Sequence, residues 1–107
     1  MSQGFKVVAA LFLAASLAAP VFAETPGAEI YKTKCAICHG ADGLATSTMA
    51  KNMKVLSFKA PEMVNASDAR FITSTTNGKG TKMPAYKGKL TDAQIKEVVA
   101  YIRTLQK

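Results

Sequence analysis

The stretch Cys35-Ala36-Ile37-Cys38-His39 contains both cysteines and the only histidine of this 107-residue chain. Its pattern, C-x-x-C-H, is typical of covalent haem attachment. Two residues between the thiols place both sulfur atoms on one side of a turn, where each can form a thioether at the edge of a porphyrin. The imidazole of His39 then lies beneath the iron. The stretch predicts one haem c per chain, attached through Cys35 and Cys38 and ligated by His39.

Two other kinds of site also use closely spaced cysteines. A thioredoxin-like redox pair belongs to a βαβ setting, with its first cysteine at the N-terminus of a helix. Here the pair lies at the end of a predicted helix in a chain without predicted strands. A structural zinc site needs four nitrogen or sulfur ligands, and this chain offers three. A disulfide framework is excluded, because a bridge between residues so close together restricts almost no chain entropy.

The first 23 residues have the features of a secretory signal peptide. Residues 7–23 form an unbroken run of apolar and small residues after a short start, and the run ends in Val21-Phe22-Ala23. We expect cleavage after Ala23. The alternative is an uncleaved anchor, for which a run of about 17 residues is at the short limit of a bilayer span. The domain of residues 24–107 is then expected in the periplasm, or in a thylakoid lumen, without stable membrane insertion.

Size and charge restrict the function of this domain. An exported domain of this length buries a thin core and needs a further source of stability, which a large apolar cofactor supplies. The formal net charge of the whole chain is +7. We expect no nucleic-acid partner, because the basic residues are not interleaved with aromatic residues and an exported protein meets little nucleic acid.

The pattern of apolar residues predicts an all-α domain of three or four helices. Thr25-Pro26 is typical of a helix start, and Thr91 with Gln94 forms a capping box. No stretch predicts a strand, and a long connection over residues 77–90 separates the last two helices. The predicted helices cover residues 26–35, 68–76 and 92–106, with a possible short helix within residues 45–54.

The sixth ligand of the iron decides between electron transfer and ligand binding. Because the chain has no second histidine, the candidate is a methionine. Met83 lies in the Gly- and Lys-rich connection and is followed by Pro84, which favours an extended backbone at Met83. Met83 is therefore the predicted distal ligand. The other methionines of the domain are interpreted as packing residues: Met49, Met53 and Met63.

The chain resembles the small monohaem class I c-type cytochromes of bacterial periplasms and photosynthetic lumens. The resemblance spans nearly all of residues 24–107. It rests on residues 35–40, on Met83-Pro84-Ala85-Tyr86 followed by Gly88 and Leu90, and on Val99-Ala100-Tyr101-Ile102. It implies the class I fold, in which three to four helices wrap around one covalently attached haem, with the four site residues in the roles given above.

The resemblance also implies a crossing of the first and last helices at Gly27, Tyr31 and Tyr101. The chain departs from the family in two respects. Many members have a proline whose backbone carbonyl accepts the N–H of the proximal histidine, and residues 40–60 contain no proline. We expect another carbonyl to take this role. Many members also have a tryptophan near a haem propionate, and here Arg70 or a lysine is the candidate.

These features predict a soluble, monomeric electron carrier rather than an enzyme. His/Met ligation raises the reduction potential of a haem iron. Four lysines surround Met83 in the sequence and predict a positively charged collar that favours acidic redox partners: Lys79, Lys82, Lys87 and Lys89. Two alternatives are an electron-transfer subunit of a larger oxidoreductase, and a haem protein with peroxidase or ligand-binding activity if the Met83 bond is labile.

Overall fold

The computed structural model describes residues 25–107. The predicted signal peptide, residues 1–23, lies outside the described residues. Residues 25–107 form helices joined by turns, loops and two isolated bridges, so the predicted all-α fold is confirmed. The elements are α1 (Pro26–Ile30), a π-helical segment (Tyr31–Cys35), α2 (Ala36–His39), α3 (Thr48–Asn52), α4 (Pro61–Val64), α5 (Asp68–Asn77) and α6 (Asp92–Leu105). None of these helices is long and apolar enough to span a membrane.

The first helix is longer than the sequence pattern indicates. It begins at the predicted cap, where Thr25 Oγ1 accepts a hydrogen bond from the backbone N–H of Ala28 and Pro26 occupies the first helical position. α1, the π-helical segment and α2 then follow one another without interruption to His39. The predicted end at Cys35 is therefore wrong. The helix ends only at Gly40, which has a φ of +85°.

The first helix packs across α6, the helix with the predicted capping box. A Cβ atom added to Gly27 would overlap the backbone carbonyl of Glu97 and lie 3.3 Å from Tyr101 Cβ. The rings of Tyr31 and Tyr101 pack with their centroids 5.3 Å apart. The expected crossing at Gly27, Tyr31 and Tyr101 is thus confirmed. The residues of the buried cluster beside this crossing come from four regions of the chain: Tyr31, Phe58, Phe71, Val98, Val99 and Ile102.

The segment between residues 40 and 67 contains two short helices, of which the sequence pattern indicated one. α3 covers only the central part of residues 45–54, and α4 begins at Pro61 directly after its cap residue Ala60. Met63 packs against the core cluster, as expected. Met49 is 41% exposed, so the expectation that it packs in the core is wrong. The reason is that α3 is short and buries Ala50 instead.

Candidate functional site

The C-x-x-C-H stretch lies at the end of the first helix, where the helical geometry is irregular. The π-helical segment ends at Cys35, and π-helical turns are frequent at functional sites. α2 then leads to His39 and ends at Gly40. The hydroxyl of Tyr31, a residue only 1% exposed, donates a 2.6 Å hydrogen bond to the carbonyl oxygen of Gly40. This bond fixes the backbone directly after His39.

A cavity of about 360 Å³ lies beside this stretch. Cys35, Cys38 and His39 line the cavity, and Met83 lines it from the loop between α5 and α6. The structure therefore places all four predicted site residues around one cavity. Its volume lies in the range of small-molecule sites, roughly 300–1,000 Å³. The remaining lining residues are mostly apolar and include Met53, Val55, Leu56, Phe58, Met63, Phe71 and Ile102.

The imidazole of His39 makes no hydrogen bond through Nδ1 within residues 25–107, and this atom is buried. The expected backbone carbonyl partner is thus not found there. Burial lowers the pKa of His39 below its usual range, so the imidazole is neutral at pH 7, the form that binds metals. The ring stacks on Phe58, with the two centroids 4.6 Å apart.

The two cysteines are free thiols on the cavity wall, and neither forms a disulfide. Burial raises the pKa of Cys35 to about 11, an effect that the nearby charge of Lys34 partly offsets. A thioredoxin-like nucleophile needs a lowered thiol pKa, so this environment disfavours such a role. Within residues 25–107, no group of three or more His, Cys, Asp or Glu side chains is arranged to hold a metal ion.

The loop that carries Met83 is folded back on itself. Lys79 N donates a 3.0 Å hydrogen bond to Met83 O, and Met83 N donates a 3.3 Å hydrogen bond to Lys79 O. Gly78, with a φ of +73°, permits this turn, since a Cβ atom there would lie 2.6 Å from Met83 O. The backbone N–H of Tyr86 donates to the carbonyl of Thr75 in α5. The loop is thereby fixed on both sides of Met83, and the Met83 side chain is half-buried.

The positive charge around the cavity differs from the predicted collar. Of its four lysines, Lys79 and Lys82 line the cavity, whereas Lys87 and Lys89 do not. Three further cations line it from other parts of the chain, against a single acidic lining residue, Glu62. These three cations are Lys34, Lys54 and Arg70. The sequence of the Met83 loop could not reveal them, although Arg70 was a candidate for contact with a propionate.

Two aromatic lining residues, Phe58 and Phe71, are not evident as site residues from the sequence. Phe58 lies in an irregular segment without apolar periodicity, where its backbone N–H donates a hydrogen bond to the carbonyl of Gly43. Phe71 belongs to the apolar face of α5, where a core position is the ordinary interpretation. Neither residue carries a local signal that distinguishes a cavity wall from a core.

Comparison with known proteins places this architecture in a family. The sequence family described as cytochrome c oxidase, cbb3-type, subunit III matches residues 22–102. Cytochrome c6 of Leptolyngbya boryana is 35% identical over 79 residues, which are 71% of this chain and 85% of that protein. Cytochrome c6 of Parathermosynechococcus lividus is 40% identical over 78 residues, or 71% of this chain and 83% of that protein.

A larger protein and a solved structure are also similar to this chain. The cbb3-type cytochrome c oxidase subunit FixP of Azorhizobium caulinodans is 33% identical over 84% of this chain, which spans only 31% of that subunit. Among solved structures, the KustC0563 c-type cytochrome has a TM-score of 0.70 and 29% identity, over 76% of this chain and 98% of that one. The chain therefore belongs to the monohaem class I c-type cytochromes and is similar to cytochrome c6.

Proposed function

We propose that this cytochrome is a soluble, monomeric carrier of single electrons rather than an enzyme. In this proposal one haem c is attached covalently through Cys35 and Cys38, and its iron is ligated by His39 and Met83. The observation that carries the proposal is the common cavity, to which the first helix contributes two thiols and a neutral imidazole and the α5–α6 loop contributes a thioether. These groups are the attachment and ligand set of a c-type haem.

The residues that line the cavity fit a haem. The buried Nδ1 of His39 leaves Nε2 as the nitrogen available to a metal, and the lining is apolar enough to exclude water from a porphyrin face. Arg70 and Lys54 line the same cavity and supply cations for carboxylates such as the haem propionates. When bound, the haem supplies reversible one-electron chemistry at its iron.

The protein's own contribution is to hold the two ligands in fixed positions. The hydrogen bond from Tyr31 to Gly40 secures the chain next to His39, and the paired hydrogen bonds between Lys79 and Met83 secure the other ligand. A site whose ligands do not move when its charge changes has little to rearrange during electron transfer. The neutral thioether of Met83 favours the reduced form relative to a second imidazole.

The charge and apolar surface near the cysteines support a redox partner with an acidic docking surface. Lys34, Lys79 and Lys82 line the cavity, and the apolar side chain of Ile37, between the two cysteines, is 73% exposed. Opposite charge accelerates the encounter of two redox proteins, and the acceleration weakens with added salt. An exposed apolar residue between the two cysteines would offer a partner a contact next to the proposed attachment site.

The localisation is proposed from the sequence of residues 1–23. A cleaved signal peptide directs residues 24–107 to the periplasm or, alternatively, to a thylakoid lumen. N-terminal sequencing of the purified protein tests this assignment, since it predicts Glu24 as the first residue.

A second candidate is an electron-transfer subunit or module of a larger oxidoreductase. The specific observation is the match to FixP and to CcoP of Azospirillum brasilense, both named as cbb3-type cytochrome c oxidase subunits, of which this chain spans 31% and 28%. Purification from the native membrane and soluble fractions distinguishes the two candidates. A carrier is recovered alone, whereas a subunit is recovered with its complex.

Mass spectrometry tests the covalent attachment on which the proposal depends. The protein is expressed together with a haem-attachment system, and we expect one haem mass added to the intact chain after acid extraction. Cys35→Ala and Cys38→Ala should each reduce the yield of covalent haem, and the double variant should lose it. An unmodified wild-type mass, or covalent haem in the double variant, contradicts the proposal.

A further inference from the structure

The ring of Phe58 lies flat against the imidazole of His39. Their centroids are 4.6 Å apart and their planes are inclined by only 17°. Phe58 is 3% exposed and belongs to the core cluster. Among the aromatic side chains of residues 25–107, Phe58 is the one in ring contact with His39.

Phe58 is itself fixed from several directions. Its backbone N–H donates a 2.9 Å hydrogen bond to the carbonyl of Gly43, and its own carbonyl accepts a 3.0 Å hydrogen bond from Gln106 Nε2. A Cβ atom on Gly43 would lie 2.8 Å from Phe58 Cδ2, so the ring occupies space that only glycine leaves open. Phe71 packs against its edge at a centroid distance of 6.2 Å. The stacked ring is therefore a rigid surface.

The hydrogen bond that usually orients a metal-binding histidine is missing from the described part of the chain. Metal-ligating histidines almost always donate their second ring N–H to a carbonyl, a carboxylate or water, and this bond fixes the ring plane. His39 Nδ1 is buried and has no such partner among residues 25–107. A flat aromatic ring in contact restricts the same rotation, because turning the imidazole about its Cβ–Cγ bond would drive its edge into the neighbouring ring.

We propose that Phe58 is a positioning residue for His39, whose stacked ring sets the plane of the proximal imidazole in place of a hydrogen bond from Nδ1. The inference rests on the proposed ligation of the iron by His39. It assigns a functional consequence to Gly43 as well, because Gly43 provides the space in which Phe58 stacks. Phe58 does not ligate the iron and acts only through the orientation of His39.

The test compares Phe58→Leu with Phe71→Leu in the haem-loaded protein. Both variants remove a buried aromatic ring from the same cluster and the same cavity wall, but only Phe58 contacts His39. The readout is the set of four haem methyl resonances in the proton NMR spectrum of the oxidised protein, whose spread and order depend on the planes of the axial ligands. We expect Phe58→Leu to change the order of these shifts and Phe71→Leu to preserve the wild-type order.

The outcomes separate this inference from the proposed function. Unchanged methyl order in Phe58→Leu, or the same change in both variants, overturns the inference while leaving the ligation intact. A wild-type protein without His39 on the iron refutes the proposed ligation and the inference together. If Phe58→Leu does not fold, the reduced wild-type protein decides: nuclear Overhauser contacts between the Phe58 and His39 ring protons support the stacking, and their absence overturns it.

Discussion

The hydroxyl of Tyr86 donates a 3.0 Å hydrogen bond to the backbone carbonyl oxygen of Lys34, 52 residues earlier in the chain. Tyr86 follows Met83 in the α5–α6 loop, and Lys34 directly precedes Cys35. The bond thus joins the loop that carries the proposed distal ligand to the segment proposed for haem attachment. Both ends of the bond belong to residues that line the cavity, so this contact closes one side of the site.

Tyr86→Phe removes this hydrogen bond and retains the ring. We expect the Met83 loop to be held less firmly by about 1 kcal/mol, the usual net contribution of one hydrogen bond. Added imidazole, which competes with Met83 for the iron, should then bind about fivefold more tightly. Optical titration of the oxidised protein with imidazole measures this. Tyr101→Phe is the matched control, because the Tyr101 hydroxyl donates no hydrogen bond to residues 25–107, and equal affinities in both variants would contradict the prediction.

Gly27→Ala tests the crossing of the first helix and α6, because the crossing predicts that this substitution destabilises the protein whereas helix propensity predicts that it stabilises it. Helix propensity alone predicts that alanine stabilises a helix by about 1 kcal/mol relative to glycine. The added Cβ atom, however, would overlap the backbone carbonyl of Glu97, which cannot move aside as a flexible side chain can. We expect the free energy of unfolding to fall by about 2 kcal/mol. Urea unfolding of the two proteins measures the change.

The control for this substitution is Gly80→Ala. Gly80 has a φ of +57°, and apart from its two chain neighbours no heavy atom of residues 25–107 lies within 4 Å of a Cβ atom built there. Its substitution should cost only the strain of a left-handed alanine, about 1 kcal/mol. If Gly27→Ala were as stable as the wild type or more stable, the close crossing of the first and last helices would be wrong.

Much of the fold could be predicted because its signals are local. The capping box of Thr91 and Gln94 and the first-helix cap at Thr25 are read from a few neighbouring residues, and both have the expected hydrogen bonds. The residues proposed for haem attachment could be predicted for the same reason, because they are contiguous in the chain. The predicted end of the first helix at Cys35 was wrong because no residue near Cys35 stops a helix. The helix ends at Gly40, where the backbone adopts a positive φ.

The parts of the site that could not be predicted depend on contacts between distant segments. The stacking of Phe58 on His39 and the bond from Tyr86 to Lys34 join residues with no common periodic pattern. The prediction of the positive charges around the cavity was incomplete for a related reason. Lys54, which follows α3, and Arg70, which lies in α5, line the cavity but are not part of the Met83 loop. Sequence order reveals which charges are neighbours along the chain, and only the fold reveals which share a surface.

Charge reversal at the cavity rim tests the docking surface. Lys79→Glu combined with Lys82→Glu should slow electron transfer with an acidic redox partner by about tenfold or more at low salt and flatten its dependence on ionic strength. Stopped-flow kinetics over a series of salt concentrations measures both effects. Lys96→Glu combined with Lys107→Glu changes the net charge equally at exposed residues that do not line the cavity. Equal slowing by both pairs would indicate an effect of net charge without a docking surface.

The buried phenol of Tyr31 should make the folded protein less stable at high pH. Burial, with smaller effects from Cys35 and Tyr101, raises the pKa of Tyr31 above its ordinary value of 10.0. The unfolded chain therefore loses this proton first as the pH rises. The stabilising effect of the protonated phenol is fully present below pH 10, and the free energy of unfolding then falls by up to about 1.4 kcal/mol per pH unit from this residue.

Tyr31→Phe separates this effect from other alkaline changes. The variant also loses the hydrogen bond to the carbonyl of Gly40, so we expect it to be less stable by about 1–2 kcal/mol at neutral pH. Above pH 10 its stability should fall less steeply than that of the wild type, with a residual slope to which Tyr86 contributes, because burial raises its pKa as well. Denaturant unfolding at several pH values measures both slopes, and parallel curves would show that Tyr31 does not titrate differently in the folded state.

The most direct measurement of the central claim is the near-infrared spectrum of the oxidised, haem-loaded protein at neutral pH. Ligation of the iron by Met83 predicts a weak iron–thioether band in the wild type that disappears in Met83→Ala. The band should remain in Met53→Leu and Met63→Leu, which alter the other two methionines that line the cavity. A wild-type spectrum without the band, or a band that survives in Met83→Ala, would contradict the proposed ligation and favour a ligand-binding or peroxidase-active haem protein instead.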